Sequence, residues 1–343
     1  MKIIYLIIWS ICYLLSLLPL WLLYILSDLI YLLLYHVIRY RRIIVKDNLY
    51  QSFPEKDEKW IITTEKRFYH FFCDYIIETL KLFSISRQNM KKRMQFVGVE
   101  DMVEALNKEN KQFAFIYLGH HGNWEWISSL TARIHEINPE VIGGQIYHPL
   151  SNSIIDRLLK RIRERSGGKN IPMKETLRWI LKRKRNGEKA IIGFIADQNP
   201  KWNCIHHWVE FFHRKTPVFI GTEHIGKQVD ALIFYADVEC VRRGHYRCRI
   251  TRMVEDVKEY KNYEVTDLYI RLLEQSIQRS PSFWLWTHNR WKRTYEEFVI
   301  RQTNKNRVGE TGLFPVSTSH TTVRTVRYTA VSTVDVHRLI GGG

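Results

Sequence analysis

The stretch Phe113-Ala114-Phe115-Ile116-Tyr117-Leu118-Gly119-His120-His121-Gly122-Asn123-Trp124-Glu125-Trp126 decides the reading of this chain. An unbroken apolar run stopped by glycine is the pattern of a strand buried on both faces. From Trp124 to Ile134 the pattern turns helical, so strand, loop and helix follow one another. On a regular helix, residues i and i+5 point to different faces. His120 and Glu125 therefore meet only if His120 lies in the loop and Glu125 in the helix's first turn. Gly119 and Gly122 permit the tight backbone this requires, and Asn123 is a good N-cap. A carboxylate in a first turn sits at the positive end of the helix dipole and stays ionised. Glu125 is then expected to fix one tautomer of His120, leaving the other ring nitrogen to take a proton from a hydroxyl. Free amides at the helix start would serve an oxyanion or a phosphate. His121, the alternative base, is expected to point the other way.

The alternation continues along the chain. Ser151 to Arg165 reads as a helix with Ile154, Ile155, Leu158, Leu159 and Ile162 inward, a Ser153/Asp156 pair like a capping box, and Gly167-Gly168 closing it. Arg157, Arg161 and Arg165 line its opposite face, with Arg163 nearby, a pattern open to phosphate or simply to solvent. Ala190 to Ala196 is a second buried strand, ending at Asp197-Gln198, where α/β proteins commonly bind ligands. Thr216-Pro217 reads as a helix start with proline at its first position. Ala231 to Tyr235 and Tyr246 to Thr251 read as strands, and Asp267 to Gln278 as a helix. The segment from Asp47 to Leu82 reads as a helical cover, broken at Pro54. The soluble part is thus α/β, with a mixed, partly parallel central sheet flanked by helices.

Ile3 to Ile38 is apolar except for Ser10, Ser16, Pro19, Ser27, Asp28 and His36. That exceeds the roughly 20 residues needed to cross a bilayer, and it lacks the shorter core and cleavage site of a signal peptide. A retained N-terminal membrane-anchoring helix is expected, as one tilted span or a span followed by an interfacial helix. Pro19 should kink or divide it, and Asp28 must face protein or the interface. Arg39, Arg41, Arg42 and Lys46 follow, and by the positive-inside tendency they keep the rest of the chain cytoplasmic and close to anionic headgroups.

The formal charge of +17 over 343 residues points to phosphate-bearing partners. Five scattered cysteines without CxxC spacing read as free thiols. No metal is expected: HExxH is absent, and His206, His207 and His213 lack a convincing ligand pairing. Lys182-Arg183-Lys184-Arg185 reads as a solvated surface or a docking patch for an acidic partner. Trp284, Trp286, His288, Arg290 and Trp291 form an aromatic cluster, either core or the lining of a lipid path. Residues 1–46 are read as anchor and basic flank, 47–300 as the catalytic domain, and 301–343 as a disordered, dispensable tail without helical periodicity.

Several motifs in order resemble the lysophospholipid acyltransferase superfamily, and within it the late acyltransferases of lipid A biosynthesis. They are Gly119-His120-x4-Glu125, Tyr147-x-Pro149 with the Asp156-Arg157-Leu158 helix and Arg163, Arg165 and Gly167, then Asp197-Gln198, then Trp286-x-His288-x-Arg290-Trp291-Lys292. Asn48-Leu49 and Phe53-Pro54 are similar too, and the likeness runs to about residue 300. His148 stands where an arginine is often found, and Asn199-Pro200 departs from the commoner continuation; both bear on the acceptor more than on the chemistry.

The resemblance implies a glycerolipid acyltransferase-like fold and an O-acyl transfer without cofactor. His120 and Glu125 would be catalytic, with Arg163 and Arg165 near phosphate, and Asn123, Asp197, Gln198 and Tyr147 are counted with them as substrate-binding. The implied partners are acyl carrier protein, with coenzyme A as the other donor, a phosphorylated glycolipid acceptor, and anionic lipids of a bacterial inner membrane. A mannosylated inositol lipid, a lysolipid or an amino-acid lipid is the alternative acceptor. A membrane-tethered scaffold or nucleic-acid-binding protein is the reading of another class, but the chain holds no recognisable nucleic-acid module.

Overall fold

The computed structural model describes residues 2–311. The apolar N-terminus forms α1 (Lys2–Leu17) and α2 (Leu20–Leu32), divided at Pro19, and α2 runs on as a π-turn over Leu33–Ile38. There follow α3 (Arg42–Ser52), α4 (Glu58–Lys81), α5 (Arg87–Arg93), β1 (Met94–Val97), α6 (Val99–Lys108), β2 (Phe113–Leu118) and α7 (Leu130–Ile137). Then come β3 (Ile142–Tyr147), α8 (Ser153–Glu164), β4 (Lys169–Pro172), α9 (Thr176–Arg185), β5 (Ala190–Ile195), β6 (Trp208–Phe211) and β7 (Arg214–Pro217). The chain continues as α10 (Gly221–Val229), β8 (Leu232–Arg242), β9 (His245–Val254), α11 (Glu264–Arg279) and α12 (Tyr295–Thr311).

The main sheet has seven strands in the order β1-β9-β8-β2-β5-β3-β4. Every neighbouring pair is parallel except β8 and β9, so the fold is mixed and mostly parallel α/β. Strand β2 lies between β8 and β5, and all its residues are buried, as a strand covered on both faces requires. Leu118 pairs with Ile195, so β2 and β5 end side by side. The residues that emerge just beyond them, His120 and Asp197, are brought together by this register.

Some local expectations are corrected. Helix α8 is capped by Asn152, whose Oδ1 accepts from the amides of Ile154 and Ile155 at 3.0 and 3.2 Å, rather than by a Ser153/Asp156 box. Asp156 instead accepts from the Leu150 amide at 2.9 Å. Thr216-Pro217 ends the β6–β7 hairpin, and the helix starts later, at Gly221. The tail read from Arg301 begins inside α12, which runs to Thr311; its remainder lies outside the described residues.

The N-terminal helices are joined to the domain. Tyr5, Tyr31 and Tyr35 belong to the same core cluster as the sheet. Asp28 faces protein: Arg243, from the β8–β9 turn, donates to it at 2.6 and 3.2 Å and also to Asp74 of α4.

Glu78 of α4 is fully buried where three parts of the molecule meet. Tyr24 of α2 donates to its Oε1 at 2.8 Å, and Asn123 and Tyr246 donate to its Oε2 at 2.6 and 2.8 Å. Burial, helped by the like charge of nearby Asp74, pushes its carboxyl up to about 7, and the three donors offset only part of that rise. The folded state therefore holds a proton that the unfolded chain has released by pH 4.5, so this contribution is present at low pH and is lost as pH rises towards 7. A Glu78→Gln variant should lack that loss, which amounts to about 3 kcal/mol by neutrality. Melting curves of the two proteins are expected to diverge between mildly acidic and neutral pH; parallel curves would show that Glu78 carries no such proton.

Candidate active site

The loop after β2 owes its path to glycine. A Cβ on Gly119 would stand 2.5 Å from Leu273 Cδ1, and one on Gly122, at φ +64°, would stand 2.5 Å from Val238 Cγ1. Two backbone bonds tie the loop to the Trp284 segment: Leu285 N to His120 O at 3.1 Å, and Gly122 N to Phe283 O at 2.9 Å. Successive side chains then part, as expected. His120 faces a cavity, and His121 is enclosed between the carbonyls of Val238 and Ser280, each 3.1 Å from a ring nitrogen. Burial lowers the pKa of His121, while the two carbonyls act in the opposite direction.

The partner of His120 is Asp197. Its Oδ1 lies 2.6 Å from His120 Nδ1, and its Oδ2 accepts from the His120 amide and from the Trp284 indole, both at 2.9 Å. Burial alone would raise this carboxyl; the His120 ring, the indole and the backbone amide outweigh it and hold Asp197 well below the usual carboxylate range. An ionised carboxylate can only accept, so Nδ1 carries a proton, and in the neutral ring Nε2 holds the lone pair. Nε2 stands 3.4 Å from the Gln198 amide nitrogen at the cavity wall.

Glu125 does not hold the His120 ring. It precedes a short 3-10 turn, Trp126–Ser129, that leads into α7, so the expected helix starts later and less regularly. Arg163 of α8 grips Glu125 through Nε at 2.7 Å and Nη2 at 2.5 Å, and Tyr75 of α4 donates to it at 3.4 Å. Burial opposes ionisation of Glu125, but the adjoining guanidinium prevails and lowers its pKa. Arg163 is thus committed to a carboxylate rather than open to a phosphate.

The other expected site residues separate. Asn123 is buried: its Oδ1 caps the Trp126 amide at 3.0 Å and its amide goes to Glu78, so it shapes the loop without touching the cavity. With that amide taken, the helix start offers less to an oxyanion than its sequence implied. Arg165 donates to the carbonyls of Leu82 and Ile85 and lines a different cavity, of about 540 Å³, from which His120 is absent. Arg157 and Arg161 stack over Tyr5 and Trp9 of α1. Tyr147 and Gln198 do line the His120 cavity, whereas Asp197 lies behind it.

That cavity measures about 700 Å³. Its walls carry Ile116, Leu118, Ile127, Ile146 and Leu159, and the exposed Lys174 and Lys201 stand at its edge. The aromatic segment is framework rather than lipid path. Asn48 donates to the carbonyls of Trp286 and His288 at 3.0 and 3.2 Å, Asn199 donates to that of Arg290 at 2.8 Å, and Trp291 donates to Thr216 at 2.8 Å. Asp197 as the ring's partner, with Trp284 behind it, escaped the sequence reading; the one available signal was its place at the end of a buried strand.

An oriented imidazole thus opens on a largely apolar cavity at the carboxyl ends of parallel strands, the place where α/β folds bind their ligands. The model of the bacterial lipid A biosynthesis acyltransferase family matches residues 1–293, and the chain belongs to that family. It is an acyltransferase with a lipid A-type acceptor and an acyl donor, and the family together with the apolar N-terminus points to membrane association. None of the curated proteins matches it.

Proposed function

We propose that this protein transfers a fatty acyl chain from an acyl thioester to a hydroxyl of a phosphorylated glycolipid, a lipid A precursor, at the cytoplasmic face of a bacterial inner membrane. The observation that carries this reading is His120: Nδ1 is held by a buried carboxylate and Nε2 is directed at an apolar cavity. Nε2 takes the proton of the acceptor hydroxyl while its oxygen attacks the thioester carbonyl. The tetrahedral oxyanion then collapses, the C–S bond breaks, and the departing thiolate takes the proton from Nε2. Gln198, with its amide nitrogen 3.4 Å from Nε2, is a donor beside the reacting atoms, and Lys174 and Lys201 supply positive charge for phosphate. Acyl carrier protein is the proposed donor, with coenzyme A the other thioester of the same chemistry.

His120→Ala should fold, bind membrane and lose transfer. The check is mass spectrometry of cellular lipids after deletion and complementation: the acceptor gains one acyl chain with the wild type and none with the variant. Near-normal acylation by His120→Ala overturns the mechanism, and a gain on another lipid class identifies a different acceptor.

A further inference from the structure

Leu20–Ile38 is long and apolar enough to cross a membrane. One side of this segment is nevertheless polar and already partnered. Tyr24 donates to Glu78 at 2.8 Å, Ser27 to Asp74 at 2.6 Å, Tyr35 reaches Glu65 at 3.5 Å, and Asp28 pairs with Arg243. Three of these partners lie on α4, where Lys59, Lys66, Arg67 and His70 are open to solvent. An upright α2 would carry its polar side, and the charged helix bonded to it, into hydrocarbon.

The opposite side is bare and apolar. Trp21, Ile25, Leu29, Leu33 and Val37 are between 49 and 72 % exposed and recur every four residues, so they share one face. Helix α1 likewise leaves Ile3, Ile7, Ile11 and Leu14 exposed. Cations stand around the two helices: Lys2 at one end, Arg39 at the other, and Arg157 and Arg161 reaching over Tyr5 and Trp9. An amphipathic pair of helices with an apolar face and a basic margin fits the interface of an anionic bilayer, to a depth of about 5–10 Å.

We propose that α1 and α2 lie in the plane of the membrane, docked on the domain, and sink only their outer face into one leaflet. Helix α8 then stands between bilayer and cavity. Its Arg157 and Arg161 meet α1, while Ile155, Leu159 and Arg163 face the cavity, so the site opens about one helix diameter, roughly 10 Å, from the lipid it serves.

The test uses the full chain with Cys12, Cys204 and Cys240 replaced by serine, reconstituted in sealed vesicles of phosphatidylethanolamine and phosphatidylglycerol. Cysteines placed singly at Trp21, Ile25, Leu29, Leu33 and Val37 carry a fluorophore, quenched by lipids brominated at shallow or deep positions. In-plane docking gives stronger quenching by shallow bromines at all five sites. It also places Lys2→Cys, Leu17→Cys and Ile43→Cys on the same side, as read with an impermeant maleimide. Deepest quenching at Leu29, or Leu17 and Ile43 labelled from opposite sides, overturns it. The readout does not depend on transfer, and His120→Ala should give the same pattern.

Discussion

Asp197→Asn is expected to lower kcat by about 10³- to 10⁴-fold while KM for the acyl donor stays nearly unchanged. The carboxylate accepts the Nδ1 proton at 2.6 Å, and it lies behind the cavity wall. An amide in its place can donate towards Nδ1, which favours the tautomer with the proton on Nε2. His120 would then present a hydrogen to the acceptor hydroxyl instead of a lone pair. The carboxylate also stabilises the imidazolium that forms as the hydroxyl is deprotonated, and the amide does not. Three hydrogen bonds hold the residue, two of them from donors outside the His120 ring, so the shape of the site should survive. Single-turnover transfer from a radiolabelled thioester separates the outcomes: unchanged donor binding with slow transfer supports the assignment, and a loss of less than about tenfold would remove Asp197 from it.

The strands next to the site were legible in sequence because β2 and β5 are continuous apolar runs with glycine or aspartate at their ends. Such a run needs only local information. The hairpin β6–β7 was not legible, since its four-residue strands are too short to show alternation and Pro217 imitates a helix start. The fate of the arginines on α8 was beyond sequence for another reason. Arg157, Arg161, Arg163 and Arg165 share one short segment, yet they reach Tyr5, Trp9, Glu125 and the Leu82 carbonyl, and helix packing alone decides which. His120 and Asp197 lie at the ends of neighbouring strands that are distant in the chain, and only the parallel register of β2 and β5 joins them. The sequence placed a base and a carboxylate five residues apart, and the fold gave the base a different carboxylate.

That leaves Glu125 with a role that mutation can separate from catalysis. Glu125→Gln is expected to destabilise the protein by about 3–5 kcal/mol, because it strands the Arg163 guanidinium without its carboxylate. Arg163→Met should cost about as much, by leaving the Glu125 carboxylate buried without its guanidinium. The double variant Glu125→Gln/Arg163→Met removes both charges together and should recover most of that stability. Activity then tells the two functions apart. If the pair only braces α8 against the loop, the double variant transfers acyl groups at a rate close to wild type once folded. Glu125 also lies near enough to the His120 ring for its negative charge to be felt there. If that charge stabilises the imidazolium during transfer, the refolded double variant stays slow, and its deficit adds to that of Asp197→Asn only in part. Chemical denaturation paired with single-turnover rates across the four proteins of this cycle decides between a brace and a second counter-charge.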